Sequence, residues 1–349
     1  MRNKLIFLTL LLILPLLSAA QKKKQYQIGA IGFYNFENLF DTEDDPVIND
    51  DDFTPQGDNL YTDVIYQEKL SHLARVVSEL ATEKTPDGVA LLGVAEIENR
   101  KVLEDFVIQP KIIDRNYQIV HFDSPDRRGI DVALLYQPKY FKVIESKALP
   151  VMLYRADSSR IYTRDILYVA GEFNGEPMHV FVNHWPSRRG GQAASQPLRN
   201  AAAFVCKQVC DSLLNVDPLA KIMIMGDLND DPVSPSVKSV LDAKGKKEQV
   251  RKKGFYNPLY TYFKKGIGTL AYQDAWSLFD QIIVSNGLIS KQAEGYHYYQ
   301  AVVHNPKYLV QKTGHFKGYP FRTFSGNAYL GGYSDHFPVY IYVIKEISE

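Results

Sequence analysis

Lys221–Asn229 reads KIMIMGDLN: four consecutive large apolar residues, a glycine, then Asp-Leu-Asn. A short apolar run closed by a turn residue predicts a strand covered on both faces. Polar residues directly at such a strand end stand where α/β enzymes build their sites. The same pattern recurs along the chain. Tyr26–Tyr34 (YQIGAIGFY) runs out at Asn35-Phe36-Glu37-Asn38, Gly88–Ala95 at Glu96, and Met178–Asn183 (MHVFVN) at His184. Phe279–Ser285 (FDQIIVS) carries Asp280, and Ser334-Asp335-His336 precedes the last strand, Phe337–Ile344.

Between these stations the spacing predicts helices over residues 64–82 and from about 196 to 214. It predicts further strands near 117–122 and over 130–136, 141–150, 161–173 and 178–184. Consecutive strands with little helix between them imply antiparallel pairing, while helix and strand alternate at both ends of the series. Residues 41–60 form an acidic, Pro- and Gly-containing loop, and residues 244–275 are basic and irregular. With no internal repeat, a single layered catalytic domain over residues 21–349 is the economical reading.

Residues 1–20 carry Arg2 and Lys4, an apolar run from Leu5 to Leu17, and Ser18-Ala19-Ala20. That is the layout of a cleavable secretory signal, so export to the periplasm or outside the cell is expected, with no membrane span afterwards. Its removal leaves 38 basic against 40 acidic residues, a net charge of −2. Bulk charge therefore does not imply nucleic-acid binding, and any polyanion contact must come from a local patch. Cys206 and Cys210, the only cysteines, lie four apart on the expected helix, a poor arrangement for pairing. No protein partner is evident.

Each station has a bland reading. Glu96 and Glu98 could favour the first turn of a helix near Asn99. Asn35 could merely end a strand, and His184 could be a satisfied core histidine. An EF-hand beginning at Asp227 would need Gly and Glu where Pro232 and Lys238 stand. What the bland readings leave unexplained is the joint occurrence. Phosphoester cleavage asks for this inventory. A hard cation, Mg²⁺ or Mn²⁺, takes oxygen ligands, supplied by Asn35 and Glu96 with Asp335 as a further candidate. Asp227 is the base for an attacking water, and Asn229 positions water or phosphate. His184 and His336 donate to the phosphoryl oxygens. Each needs an orienting acid to remain protonated, Asp280 for His336 and Asp131 for His184.

The ordered set YNFENLFD, LLGVAEIEN, RRGIDVALLY, VNHWPSRRGG, MGDLNDDP, FDQIIVS and YSDHFPV resembles the endonuclease/exonuclease/phosphatase superfamily over residues 26–345. The resemblance implies a four-layer α/β/β/α sandwich of two mixed, mostly antiparallel sheets with helices on both outer faces. It also implies Asn35 and Glu96 as metal ligands, His184 as a catalytic histidine, Asp227 with Asn229 as the water-activating and phosphate-orienting pair, and Asp280, Asp335 and His336 as the terminal cluster. Glu37 departs from the pattern, since many relatives have Asp there.

Substrate stays open between nucleic acid and a phospholipid head group or sugar phosphate. The phrasing NFENLFD with NHWPSRRGG looks like secreted nuclease-type members. Arg188, Arg189 and the basic run Lys244–Lys253, followed by Tyr256, Tyr260 and Tyr262, are candidate phosphate and base contacts, and a solvated charged loop is the competing reading. The acidic loop Asp44–Asp52 is a candidate for structural Ca²⁺.

Overall fold

The computed structural model describes residues 24–155 and 157–347, so the expected signal at residues 1–20 lies outside the described residues. Two mixed sheets form its centre. The first has six strands in the order His297–Val303, Val339–Ile347, Gln25–Leu39, Leu91–Ile97, Asp131–Tyr136 and Gln118–His121. The second has seven: Ala243–Lys244, Phe255–Tyr256, Asp280–Ser285, Ile222–Asp227, Glu176–His184, Ile166–Phe173 and Phe141–Leu149.

Each sheet holds a parallel pair at its middle. Gln25–Leu39 runs parallel to Leu91–Ile97, pairing Asn35 with Ala95, and Glu176–His184 runs parallel to Ile222–Asp227, pairing His184 with Asp227. Their C-terminal ends therefore emerge at one pole of the molecule. The sheets face each other across a core that includes Ile31, Val94, Val182, Met223, Met225 and Ile282. Gly93 makes that approach possible, because a Cβ there would meet Met225 Sδ at 2.6 Å. Helix Asp63–Glu79 buries Leu70, Leu73, Val76 and Val77 as part of the same core. On the other side, helix Gln192–Val216 lays Ala202, Ala203, Cys206 and Cys210 against Phe181, Ile222, Ile224 and Ile283. Helices thus cover both sides of the paired sheets. Among the described residues no helix is long and apolar enough to cross a membrane.

Two strand boundaries differ from the sequence reading, and two elements are additional to it. The first strand continues past Asn35 to Leu39 through an irregular register. The strand expected from residue 161 begins at Ile166, because Arg160–Ile161 pairs instead in a short hairpin with Leu153–Tyr154. His297–Val303 is a strand, and Arg100–Val107 a helix capped by Asn99 accepting from Val102 N at 3.1 Å.

Candidate active site

The site assembles where the two parallel pairs run out. After Asn35 the chain turns through Glu37 and Asn38, both left-handed with φ of 50° and 53°, and Glu96 (φ 59°) and Asn229 (φ 48°) do the same after their strands. Left-handed backbone costs a non-glycine residue about 1–2 kcal/mol, so strain gathers at this pole. Its effect is to turn the polar side chains across the strand ends. Asn35 Nδ2 donates to Asp227 Oδ2 at 3.2 Å, joining the two sheets, and Asn38 N donates to Glu96 Oε2 at 3.0 Å.

Around Asp227 the other stations follow. Asn229 N donates to Asp227 Oδ1 at 2.9 Å, and His184 Nε2 lies 3.6 Å from Asp227 Oδ2 and 3.7 Å from Glu96 Oε1. His336 Nε2 is 3.9 Å from Asp227 Oδ2 and 3.9 Å from Asp335 Oδ1, while its Nδ1 is bonded to Asp280 Oδ2 at 2.7 Å. Asn35, Glu96, His184, Asp227, Asn229, Asp280, Asp335 and His336 are thereby linked contact by contact. Asn229 Nδ2 donates one N–H to Trp185 O at 2.9 Å, which leaves its second N–H and its side-chain oxygen for a ligand.

The two histidines are in opposite states. Burial alone would lower His336, but the Asp280 carboxylate, by charge and hydrogen bond, with Asp335 and Asp227, holds it well above the usual imidazole value. His184 is held well below that value by burial, then by Arg164, Arg128 and His336. The expectation that both are protonated is therefore corrected. So is the pairing of Asp131 with His184. Asp131 instead binds His121 Nε2 at 3.0 Å and the hydroxyl of Ser124, and His184 Nδ1 is buried without a partner.

Burial, with Asp280 and Glu96 close by, pushes the Asp227 carboxyl up to about 7 against the pull of His336. A crowd of buried oxygen donors whose charges oppose one another fits a hard divalent ion, which would relieve the repulsion. Asp227, Asp280 and His336 also gather within one ion's reach. That trio is better read as a relay, because a protonated imidazole bonded to Asp280 has no lone pair for a metal. Asn35, whose Oδ1 also accepts from Glu37 N at 2.8 Å, Glu96 and Asp335 remain the candidate oxygen ligands at this pole. Glu37 turns away: its Oε2 accepts from Thr323 N at 2.7 Å, and buried Lys69 donates to Glu37 O at 2.6 Å and Thr323 Oγ1 at 2.8 Å. In the acidic loop, Asp45 Oδ1 and Asp50 Oδ2 accept from Val47 N and Asp45 N respectively.

Two expected phosphate contacts are not at hand. Arg188 donates to Asn229 O at 3.0 Å, pairs with Asp231 at 3.0 Å, and lies over the Phe279 ring at 4.3 Å, so its guanidinium is spent inside the fold. The Arg251–Lys253 end of the basic run lies at the far pole, whereas Lys244 and Lys246 line a hollow with Pro232 and Val233, just past the Asp227–Asp231 turn. Phe255 pairs with Ser285, five residues beyond Asp280 along the same strand, and Lys253 donates to Asn215 at the far end of the long helix. Of its neighbouring tyrosines, Tyr256 is buried and Tyr262 donates to Ala301 O.

What rims the catalytic pole is a segment that the sequence reading passed over. Between Glu294 and Asp335 the chain has Lys307, Lys312, Lys317 and Arg322 and no acid. Because Val303 and Phe33 both pair with Val339, the loop from residue 304 to 338 belongs to the pole of Asn35. Arg322 Nη2 lies 3.7 Å from Asp335 Oδ2. Arg127, Arg128 and Arg189 are exposed on neighbouring loops, Arg128 3.7 Å from Glu96 Oε2.

A sequence model of the Endonuclease/Exonuclease/phosphatase family matches residues 30–345. No curated protein sequence matches the chain. Among solved structures, an endonuclease/exonuclease/phosphatase family protein from Bacteroides thetaiotaomicron is 15% identical, with 94% of this chain and 98% of that one covered at a TM-score of 0.54. D. rerio TDP2 complexed with single strand DNA product is 13% identical, with 90% and 98% covered at 0.52. A B. thetaiotaomicron mannosyl-6-phosphatase is 15% identical, with 90% and 99% covered at 0.52. At such identities the likeness is one of fold.

Proposed function

Because the chain belongs to the endonuclease/exonuclease/phosphatase family, whose members are metal-dependent phosphoric ester hydrolases, we propose that it is an exported nuclease cutting phosphodiester bonds of nucleic acid by attack of water. The carrying observation is the acid-free basic segment 295–334 around the catalytic pole, a local face for a polyanion on a chain without excess positive charge. Export rests on the N-terminal sequence.

Asn35 and Glu96, with Asp335, would hold a divalent ion such as Mg²⁺, which when bound would supply charge stabilisation to the phosphoryl oxygens. Asp227, fixed by Asn35 and by Asn229 N–H, accepts the proton of the attacking water. A carboxylate raised towards neutrality is a stronger base than a solvated one. His336, kept protonated by Asp280, donates to a phosphoryl oxygen as charge builds there. Neutral His184 offers its Nε2–H from the other side of Asp227, uncharged because burial and the nearby Arg164, Arg128 and His336 disfavour the imidazolium. Arg322 and Arg128 meet the flanking phosphates.

The test is a substrate panel with purified protein and Mg²⁺: plasmid DNA, RNA, sphingomyelin, inositol phosphates and mannose 6-phosphate. Cleavage of polynucleotide in preference to the rest is expected. Selective hydrolysis of a monoester sugar phosphate would overturn the nuclease reading in favour of the phosphatase one.

A further inference from the structure

His121 ends the strand Gln118–His121 and Asp131 begins the strand Asp131–Tyr136 that pairs with it, so these two side chains gather the base of the loop 122–130. Both are buried, each with its side chain 4% exposed, and His121 Nε2 is bonded to Asp131 Oδ2 at 3.0 Å. The other oxygen of Asp131 accepts from Ser124 N at 2.9 Å and from the Ser124 hydroxyl. Because a carboxylate only accepts, it fixes the imidazole: the proton sits on Nε2 and the lone pair is left on Nδ1.

That nitrogen has no hydrogen-bond partner among the described residues. It faces Asp123, whose Oδ1 is 3.9 Å away and whose side chain is 89% exposed. One ligand atom from each of His121, Asp123 and Asp131 lies within 4.8 Å of the other two. A histidine that donates one N–H to a carboxylate and turns its other nitrogen towards a second acid is arranged as proteins arrange imidazole for a metal ion. Nitrogen and oxygen ligands of a tetrahedral zinc ion stand about 3.4 Å apart, so Asp123, free to turn in solvent, has about half an ångström to close. The surroundings favour a cation. Burial holds the Asp131 carboxyl above its usual range despite the bonds from His121 and Ser124, while Arg164 is engaged by Asp126 at 3.0 Å.

We propose that His121 and Asp123, with Asp131 holding the imidazole, form a second metal site that takes Zn²⁺ through His121 Nδ1 and Asp123 Oδ1 and fastens the base of the 122–130 loop. With two protein ligands and water completing the shell, the ion is exchangeable. The loop carries Arg128, 3.7 Å from Glu96 Oε2, so the occupied site steadies one wall of the catalytic pole whichever phosphoester is cut there. An imidazole ligand suits zinc, and Mn²⁺ stands at the weak end of the divalent series, so the Mn²⁺ that fills the strand-end position leaves this site clear.

The test is equilibrium dialysis of chelator-stripped full-length protein against Zn²⁺, with thermal midpoints read in parallel. It compares Glu96→Gln, in which the strand-end cation site is disabled, with Glu96→Gln carrying Asp123→Asn or His121→Gln. Each added substitution should remove one equivalent of bound Zn²⁺ together with the rise in thermal midpoint that Zn²⁺ produces. Asp123 is exposed, so Asp123→Asn should leave the metal-free midpoint where it was, which separates a lost ligand from a folding defect. Absence of Zn²⁺ binding to Glu96→Gln, or a stoichiometry that Asp123→Asn leaves unchanged, would overturn the site.

Discussion

His184 and His336 share one cluster in opposite protonation states because only His336 is bonded to a carboxylate, that of Asp280. The protonated form of His336 is the active one, and it is lost as pH rises through its raised value. Asp280→Asn removes the charge that raises it, so the alkaline limb of kcat/KM should move to lower pH; an unmoved limb would take His336 out of the mechanism. Asp227→Asn should lower kcat by about 10²–10⁴, the range for a lost general base, with the thermal midpoint retained. It also has a stability signature. The folded carboxyl sits near 7, above its unfolded value near 4, so the metal-free fold keeps a proton there that the unfolded chain has released. That contribution is present below the unfolded value and is lost as pH rises towards 7. Unfolding free energy measured without metal should therefore fall over this window in wild type and fall less in Asp227→Asn. The stations were legible because each follows an apolar run, a local signal. The partners of Asp131 and Arg188 were not, since His121, Ser124, Asp231 and Phe279 reach them only through the tertiary fold.

Elements behind the site are locked by a buried polar strut. Lys69 of helix Asp63–Glu79, 1% exposed, bridges Glu37 O and the Thr323 hydroxyl, joining the helix, the first strand and the basic segment. Lys69→Ala should destabilise the protein by about 1–3 kcal/mol in urea unfolding, because it leaves Glu37 O and the Thr323 hydroxyl without their donor and removes the cation that offsets the buried Glu37 carboxyl. Adding Glu37→Gln should restore part of that loss, whereas additive effects would show the two groups to be independent. Gly226 is a second fixed point: its φ is 155°, and a Cβ would collide with Asn183 O on the parallel strand. Long, strongly patterned strands were read correctly by existence and type. His297–Val303 escaped because it is an edge strand with a register irregularity between Tyr298 and Gln300, so its apolar residues do not alternate cleanly. The left-handed turns at Glu37, Asn38 and Glu96 leave no sequence mark of their own, as no glycine stands at any of them.

At the scale of the molecule the exposed positive charges divide between two poles. The basic run 251–253 has the higher local charge, yet strand register puts it away from Asp227, while the sparser Lys312, Lys317 and Arg322 belong to the catalytic loop. Neutralising Lys312 and Lys317 should weaken oligonucleotide binding and flatten its salt dependence, by about 0.7 in log–log slope for each lost contact to a single strand. Neutralising Arg251, Lys252 and Lys253 should change neither; the reverse outcome would place the substrate at the opposite pole. The sandwich itself was legible from the order of motifs along the chain, whereas charge density in one dimension pointed to the wrong loop.

The most direct test of the account is calorimetric titration of Mn²⁺ into wild type, Glu96→Gln and Glu37→Gln. Binding should persist in wild type and Glu37→Gln, with proton release on binding, and should be lost in Glu96→Gln. Undiminished binding by Glu96→Gln would contradict the claim that these strand-end oxygens form the cation site on which the chemistry depends.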